Sequence, residues 1–326
     1  MSDFPSVKLH VVTGKGGTGK TTVAGALALA LAAGGREVLL AEVEGRQGIA
    51  QLFDTPPLPY EERKVAIARG NGEVYALAID PEAALLEYLE MFYNLRRAGN
   101  ALKRLGAIDF ATTIAPGMRD VLLTGKVMEA ATRERRGGGR LYDAVVLDAP
   151  PTGRIARFLN VNAEVAGLAR MGPVRQQADS VMNLIRSKKT AVHLVTVLEE
   201  MPVQETVDGV AELTKIDLPV GGVVVNMVRD PLLAPDVITT AATAGIDTGE
   251  LASGLKAAAL DETTDLVEGL AAEAAEHARR VELEHREREI LLDLGRPLYE
   301  LPLQAETIDL SGLYDMADRL AAQGMV

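Results

Sequence analysis

Short apolar runs alternate with longer stretches of helical spacing along most of the chain. Residues 7–12 (VKLHVV) form a strand-like run that ends at a glycine loop. Residues 21–33 are rich in Ala and Leu and stop at Gly34-Gly35, which predicts a helix with a glycine terminator. Residues 37–43 (EVLLAEV) read as the next strand, giving a strand–loop–helix–strand unit. Residues 54–60 (DTPPLPY) carry Pro56, Pro57 and Pro59 and read as loop. After a strand at 74–79, Pro81 opens a helix with Leu85, Leu89 and Phe92 on one face and Leu86 and Tyr93 beside it. Helical spacing continues to about 136 through Met118, Val121, Leu122 and Met128, until Gly137-Gly138-Gly139 breaks it. Residues 142–147 (YDAVVL) are a buried-type strand running into Asp148. Helices follow at 154–170 and 176–186, separated by Gly172-Pro173. A strand at 191–198, a helix at 202–213 and a strand at 219–225 ending at Asn226 come next. A charge-rich helical stretch covers 261–294, then a last strand at 296–301 and a last helix at 310–322. Strands alternating with helices predict an α/β fold: a doubly wound, mostly parallel sheet covered on both faces. The reading is one domain over 1–326, with helix-rich insertions at about 81–136 and 164–186.

Composition narrows the chemistry. Aromatics are 4% and Trp is absent, so the core is built from Ala, Leu and Val. There is no cysteine, which removes disulfides, thiolate zinc sites, iron–sulfur ligation and thiol nucleophiles together. His10, His193, His277 and His285 are scattered in sequence, and core or surface roles fit them better than metal ligation. The net charge of −12 opposes nucleic-acid binding, which needs a basic face. The densest basic group, Arg133, Arg135, Arg136 and Arg140, is diluted by Glu134 and three glycines and reads as a solvated loop. The first residues lack a basic region followed by an apolar stretch, so a cytoplasmic location is expected. The run 23–33 is too short to span a bilayer, so no stable membrane insertion is expected.

The glycine loop carries the strongest chemical signal. Residues 14–21 read GKGGTGKT and contain the pattern G-x-x-x-x-G-K-[ST] as Gly14, Gly19, Lys20 and Thr21. Glycines let successive backbone N–H groups turn toward phosphate oxygens without Cβ clashes, and the following helix adds its positive end. The candidate cradle is Gly14, Gly16, Gly17, Thr18, Gly19, Lys20, Thr21 and Thr22. Lys20 is placed for β- and γ-phosphates, and Thr21 can offer its hydroxyl to Mg²⁺. Asp148, at the end of a buried strand, is the candidate second metal residue, acting through a water or by orienting Thr21. The turn Pro150-Pro151-Thr152-Gly153 follows, and Gly153 offers an N–H suited to sensing a γ-phosphate. A second lysine, Lys15, narrows the motif to K-G-G-x-G-K-T, the deviant Walker A form.

With these motifs the chain resembles the ArsA-type ATPases, which include the arsenite-pump ATPase and the guided-entry ATPase that carries tail-anchored membrane proteins. They belong to a wider class with MinD, ParA and the nitrogenase iron protein. The family's second switch, D-T-A-P-T-G-H-T-L-R, aligns without gaps to residues 148–157 (DAPPTGRIAR). Residues 223–226 (VVVN) resemble the strand ending in an adenine-binding Asn, which implies that role for Asn226, and 299–303 (YELPL) resemble the closing strand, which brings in Pro302. The resemblance implies that Lys15 crosses a dimer interface to the partner's nucleotide. The family's first switch, S-T-D-P-A-H-N, falls without gaps on residues 42–48 (EVEGRQG), so its water-activating Asp falls on Glu44 and its His on Gln47. Glu44 is one methylene longer but still a carboxylate able to orient water. Arsenite-binding cysteines and a zinc-binding C-x-x-C are absent.

The resemblance implies a dimer, homomeric or formed with a paralogous ATPase, that binds Mg²⁺ and ATP, hydrolyses ATP and handles a hydrophobic protein client. The catalytic set is Lys15, Lys20, Glu44 and Asp148. For the two helical insertions, the simpler reading is helices packed on the sheet, since no face is exceptionally rich in Met. Two alternatives stay open. One is a low-activity, nucleotide-binding regulatory subunit beside a paralogue, which Glu44 keeps alive. The other is a MinD- or ParA-like positioning ATPase. The last helix, with one Arg and two Asp, opposes membrane docking of the MinD kind, and the net charge opposes DNA.

Overall fold

The computed structural model describes residues 2–93, 117–135, 137–168, 173–260, 263–304 and 308–326, with backbone alone at 88, 89, 91–93, 118, 162, 164–168 and 173–177. The centre and rim of the first helical insertion (94–116 and 136) and residues 169–172 of the second lie outside this set, as do the side chains of Leu89, Phe92, Tyr93 and Met118.

The described strands are β1 (Leu9–Gly14), β2 (Glu37–Glu42), β3 (Arg63–Ala68), β4 (Gly72–Ala78), β5 (Ala144–Asp148), β6 (Thr190–Thr196), β7 (Val220–Val228) and β8 (Leu298–Pro302). They form one sheet in the order β3-β4-β2-β5-β1-β6-β7-β8. Only β3 on β4 is antiparallel among these pairs. Numbered among the described residues, the helices are α1 (Lys20–Ala32), α2 (Gly48–Leu52), α3 (Pro81–Tyr93), α4 (Met118–Thr132), α5 (Thr152–Leu168), α6 (Pro173–Ile185), α7 (Glu200–Lys215), α8 (Pro235–Thr243), α9 (Thr248–Ala257), α10 (Thr264–Leu292) and α11 (Leu310–Ala322).

The apolar strand runs are buried on both faces, as a covered parallel sheet requires. Side chains alternate between two cores. Val12, Val38, Leu40 and Val146 face α1 and α11. Val11, Leu39, Ala41, Val145 and Leu147 face the opposite layer, with Leu122 and Leu123 of α4 and Ile155 and Phe158 of α5. Helix α1 is buried from Val23 to Ala32, which explains its lack of a polar face. Leu85, Leu122 and Val127 pack into the sheet-facing core, so the described parts of α3 and α4 behave as helices covering the sheet.

Several expectations need correction. Strand β3 and helices α8 and α9 were not anticipated. β3 is a half-exposed edge strand, and none of the α9 side chains is buried, so neither shows a strong apolar period. β7 runs past Asn226 to Val228 because β8 continues the ladder there, with Val228 opposite Pro302. The second of the two helices separated at Gly172-Pro173 starts at Pro173 itself rather than at 176, a position where the missing proline N–H costs nothing.

His10 and His193 meet in the core, both fully buried, with Nδ1 and Nε2 3.1 Å apart. The Gly222 N–H donates to His193 Nδ1 at 3.2 Å, so the neutral His193 ring carries its proton on Nε2 and donates to His10. Burial pushes His193 down to about 3 and His10 well below the usual histidine value, the latter also by His193 and Lys8. The folded chain therefore excludes protons that the unfolded chain binds below about 6.5. Stability is complete above that pH and falls as acid is added, by about 1.4 kcal/mol per pH unit for His193, with His10 acting in the same direction. Asp148 is raised to about 6 and partly offsets the loss between 3.8 and 6, where the folded chain holds the extra proton. Denaturant titrations at pH 7 and pH 5 check this. His193→Gln, which keeps an acceptor and a donor, flattens the dependence.

Candidate functional site

The carboxyl ends of β1, β5, β6 and β7 meet where the chain turns from one half of the sheet to the other, and open α/β sheets bind ligands at such a point. The loop between β1 and α1 fills it. Gly14 has φ +155°, and a Cβ there would lie 2.1 Å from the Val195 carbonyl oxygen of β6. Gly19 has φ +85°, and its Cβ would lie 2.3 Å from Asn226 Nδ2. Only glycine fits at either end of the loop. Gly16 and Gly17 face open space at its crown. The Thr18 hydroxyl donates to the Lys15 carbonyl at 2.9 Å, and Lys20 Nζ reaches the same oxygen at 3.4 Å. Thr22 lies half-buried in the first turn of α1.

Thr21 Oγ1 donates to Asp148 Oδ2 at 2.6 Å, joining the loop helix to the end of β5. Burial raises Asp148 to about 6. The Thr21 hydrogen bond opposes the rise and the Glu42 charge adds to it. Burial lowers the Lys20 ammonium, against the pull of Asp148 and Glu44. Thr13 Oγ1 donates to the Pro150 carbonyl at 2.7 Å, tying β1 to the turn that follows Asp148. Gly153 is the second residue of α5, so its N–H belongs to the first turn, where amides lack helical partners.

Glu44 follows β2 and is held between two guanidinium groups, Arg46 at 3.5 Å and Arg154 at 3.8 Å. A cavity of about 140 Å³ opens here, lined by Glu44, Arg46, Arg119, Asp120 and Arg154 among others. Asn226 is buried, and its Nδ2 donates to the Thr18 carbonyl at 3.0 Å, so the amide anchors the loop. Beyond it lies a cleft of about 260 Å³ lined by Leu198, Met227, Arg229 and Glu284 among others. Pro302 ends β8 on the same edge of the sheet, beside Val228 of β7.

Lys15 turns to its own chain. Its Nζ lies 2.7 Å from Glu205 Oε1 on α7, and the other Glu205 oxygen accepts from the Thr152 hydroxyl at 3.2 Å. Glu205 thus links the glycine loop to the turn after Asp148. Sequence reasoning missed it because nothing local marks one glutamate on a helix. Arg46 and Arg154 lie within the two switch-like segments, but their meeting at Glu44 was not legible in the sequence.

The model of the anion-transporting ATPase family matches residues 7–188. The chain is 52% identical to the ATPase BagA of Mycobacterium tuberculosis strain H37Rv over 324 residues, which cover 99% of this chain and 95% of that protein. It is 28% identical to the ATPase GET3 of Kluyveromyces lactis over 249 residues, covering 66% of this chain and 70% of that protein. It is 27% identical to the ATPase GET3 of Candida glabrata over 250 residues, covering 66% and 70%. The matched segment contains the glycine loop, Glu44 and the Thr21–Asp148 pair on a mostly parallel sheet. The chain belongs to the anion-transporting ATPase family and is an ATPase.

Proposed function

We propose that residues 1–326 act as one nucleotide-switch domain that binds Mg·ATP between two subunits and hydrolyses it. The observation that carries this reading is the 2.6 Å bond from Thr21 to Asp148 beside Lys20, at the mouth of a loop closed by Gly14 and Gly19. Loop amides and Lys20 hold the phosphates. A hydroxyl and a buried carboxylate form an all-oxygen donor set that suits Mg²⁺, with Thr21 and Asp148 as the residues that would hold it. Bound there, the ion would neutralise phosphate charge. Glu44 orients the attacking water. Lys15 leaves Glu205 and meets the nucleotide of a partner subunit, supplying positive charge where negative charge develops. The Lys15–Glu205–Thr152 link lets nucleotide in the loop bias the turn after Asp148, and so the geometry offered to a hydrophobic client. The partner is a second copy or a paralogous ATPase. Among the described residues no helix is long and apolar enough to cross a membrane.

A second reading is favoured by Glu44 itself. Its carboxylate is engaged by Arg46 and Arg154 within its own chain, so it must leave those ion pairs to hold a water, which suits a subunit of low turnover paired with a paralogue. Turnover by the purified chain alone, compared with turnover in its native complex, separates the two.

The nucleotide reading is tested with Lys20→Ala. Loss of a charged hydrogen bond to phosphate weakens Mg·ATP binding by about 10- to 100-fold. Calorimetric titration reads it, and an unchanged affinity would remove the phosphate role from this loop.

A further inference from the structure

Glu42 has no part in the reading above. It closes β2, and its register partner on β5 is Asp148, so the two carboxylates leave adjacent strands on the same side of the sheet. Both are buried, at 3% and 8% exposure. Glu42 Oε2 accepts from the Ile49 N–H at 3.1 Å and ties down the first turn of α2. Glu42 Oε1 is buried and has no hydrogen-bond partner among the described residues. Thr21 lies close: a Cβ on Gly48 would be 3.2 Å from the Thr21 methyl, 3.6 Å from its hydroxyl and 3.9 Å from Glu42 Oε2.

A tether for α2 needs one neutral acceptor. Glu42 supplies two oxygens and a charge, next to a second buried carboxylate that repels it. Burying an unpartnered charged oxygen is costly, and such a group calls for an occupant. The resemblance puts Ser at this position, so the carboxylate is a departure of this chain. Two carboxylates and a hydroxyl at the mouth of a phosphate loop are hard oxygen donors, which attract a hard cation. They do not complete an octahedral shell, so the cation binds firmly only with phosphates.

We infer that Glu42 is a positioning carboxylate of the magnesium site, standing with Asp148 as an acceptor for the water shell of the ion that enters with the nucleotide. This rests on the nucleotide reading proposed above. Its consequence is tighter divalent-cation binding by the nucleotide complex than Thr21 and Asp148 provide together.

The test uses the full chain, ADP and Mn²⁺, with bound Mn²⁺ read by electron paramagnetic resonance. ADP affinity without metal is measured by calorimetry in a chelator. Glu42→Gln keeps an acceptor for Ile49 and removes the charge. The expected result is a loss of about 10- to 100-fold in Mn²⁺ affinity of the ADP complex, with metal-free ADP affinity unchanged. Glu42→Asp, which keeps the charge, recovers part of the loss. Glu42→Ser repeats the test if the Gln variant does not fold, and the same loss is expected. Wild-type Mn²⁺ affinity in a folded Gln or Ser variant would overturn the inference and leave Glu42 as the α2 tether alone. An equal loss with and without metal would also overturn it, since that marks general damage to the loop. Failure of the wild-type chain to bind ADP would overturn the nucleotide reading and this inference together.

Discussion

Lys15→Ala lowers ATP turnover by about 10³–10⁵-fold, the range of a cationic finger supplied across an interface, and leaves ATP bound in its own subunit. The reason lies in where the side chain goes. Lys20 sits over the loop, half-buried beside Asp148, whereas Lys15 leaves the loop for Glu205 on α7. Both partners of the Lys15–Glu205 pair are partly exposed, at 30% and 37%. Such pairs are worth about 0–1 kcal/mol, so exchanging Glu205 for a nucleotide on another subunit costs little. The decisive measurement mixes Lys15→Ala chains with Glu44→Gln chains, each inactive alone. In a homodimer, the site on the Lys15→Ala chain keeps its own Glu44 and receives Lys15 from the partner. Turnover then partly returns. No recovery, with mixed dimers confirmed by mass, would show that Lys15 acts within its own chain or that nucleotides are not shared.

Gly14→Ala has a large expected effect on stability. The new methyl group would meet the Val195 carbonyl oxygen at 2.1 Å, and that oxygen belongs to the backbone of the adjacent strand. No rotamer change relieves such a contact, so β1 or β6 shifts. Overpacking and the positive φ together cost about 2–5 kcal/mol. That is a large part of the roughly 5–15 kcal/mol that holds a domain together. The denaturant midpoint falls while its slope holds, because the folded and unfolded surfaces are nearly the same. A midpoint equal to wild type would mean that the loop has another conformation open to it. Nucleotide would recover part of the loss if it binds the folded form alone.

Much of this protein follows from short-range rules. The runs 37–43 and 142–147 predict strands, found at Glu37–Glu42 and Ala144–Asp148, because apolar runs of that length, bounded by turn signals, bury both faces. Helix α1 follows from its Ala/Leu content and Gly34-Gly35. Gly14, Lys20 and Thr21 are legible because a phosphate cradle needs its parts within one turn of chain, so spacing alone carries the chemistry. Asp148 is legible because it ends a buried strand. Weak elements are not: β3 buries only Ala66 and Ala68 on its inner face and α9 buries no side chain, and it is position in the fold that orders them.

Tertiary structure alone decided which distant groups share the site. Asn226, to which the resemblance gives a role toward the base, also holds the Thr18 carbonyl through its amide, because β7 passes beside the glycine loop. Glu205 meets Lys15 across 190 positions, and Arg154, from the first turn of α5, closes on Glu44 opposite its loop neighbour Arg46. Glu42 stands next to Asp148 only because β2 pairs with β5 in that register, although 106 positions separate them. Sequence patterns report what a segment needs for itself: an apolar face, a turn, a row of amides. A lone charged side chain has no such local need, and the sheet order that chooses its neighbours is set by the packing of the whole chain.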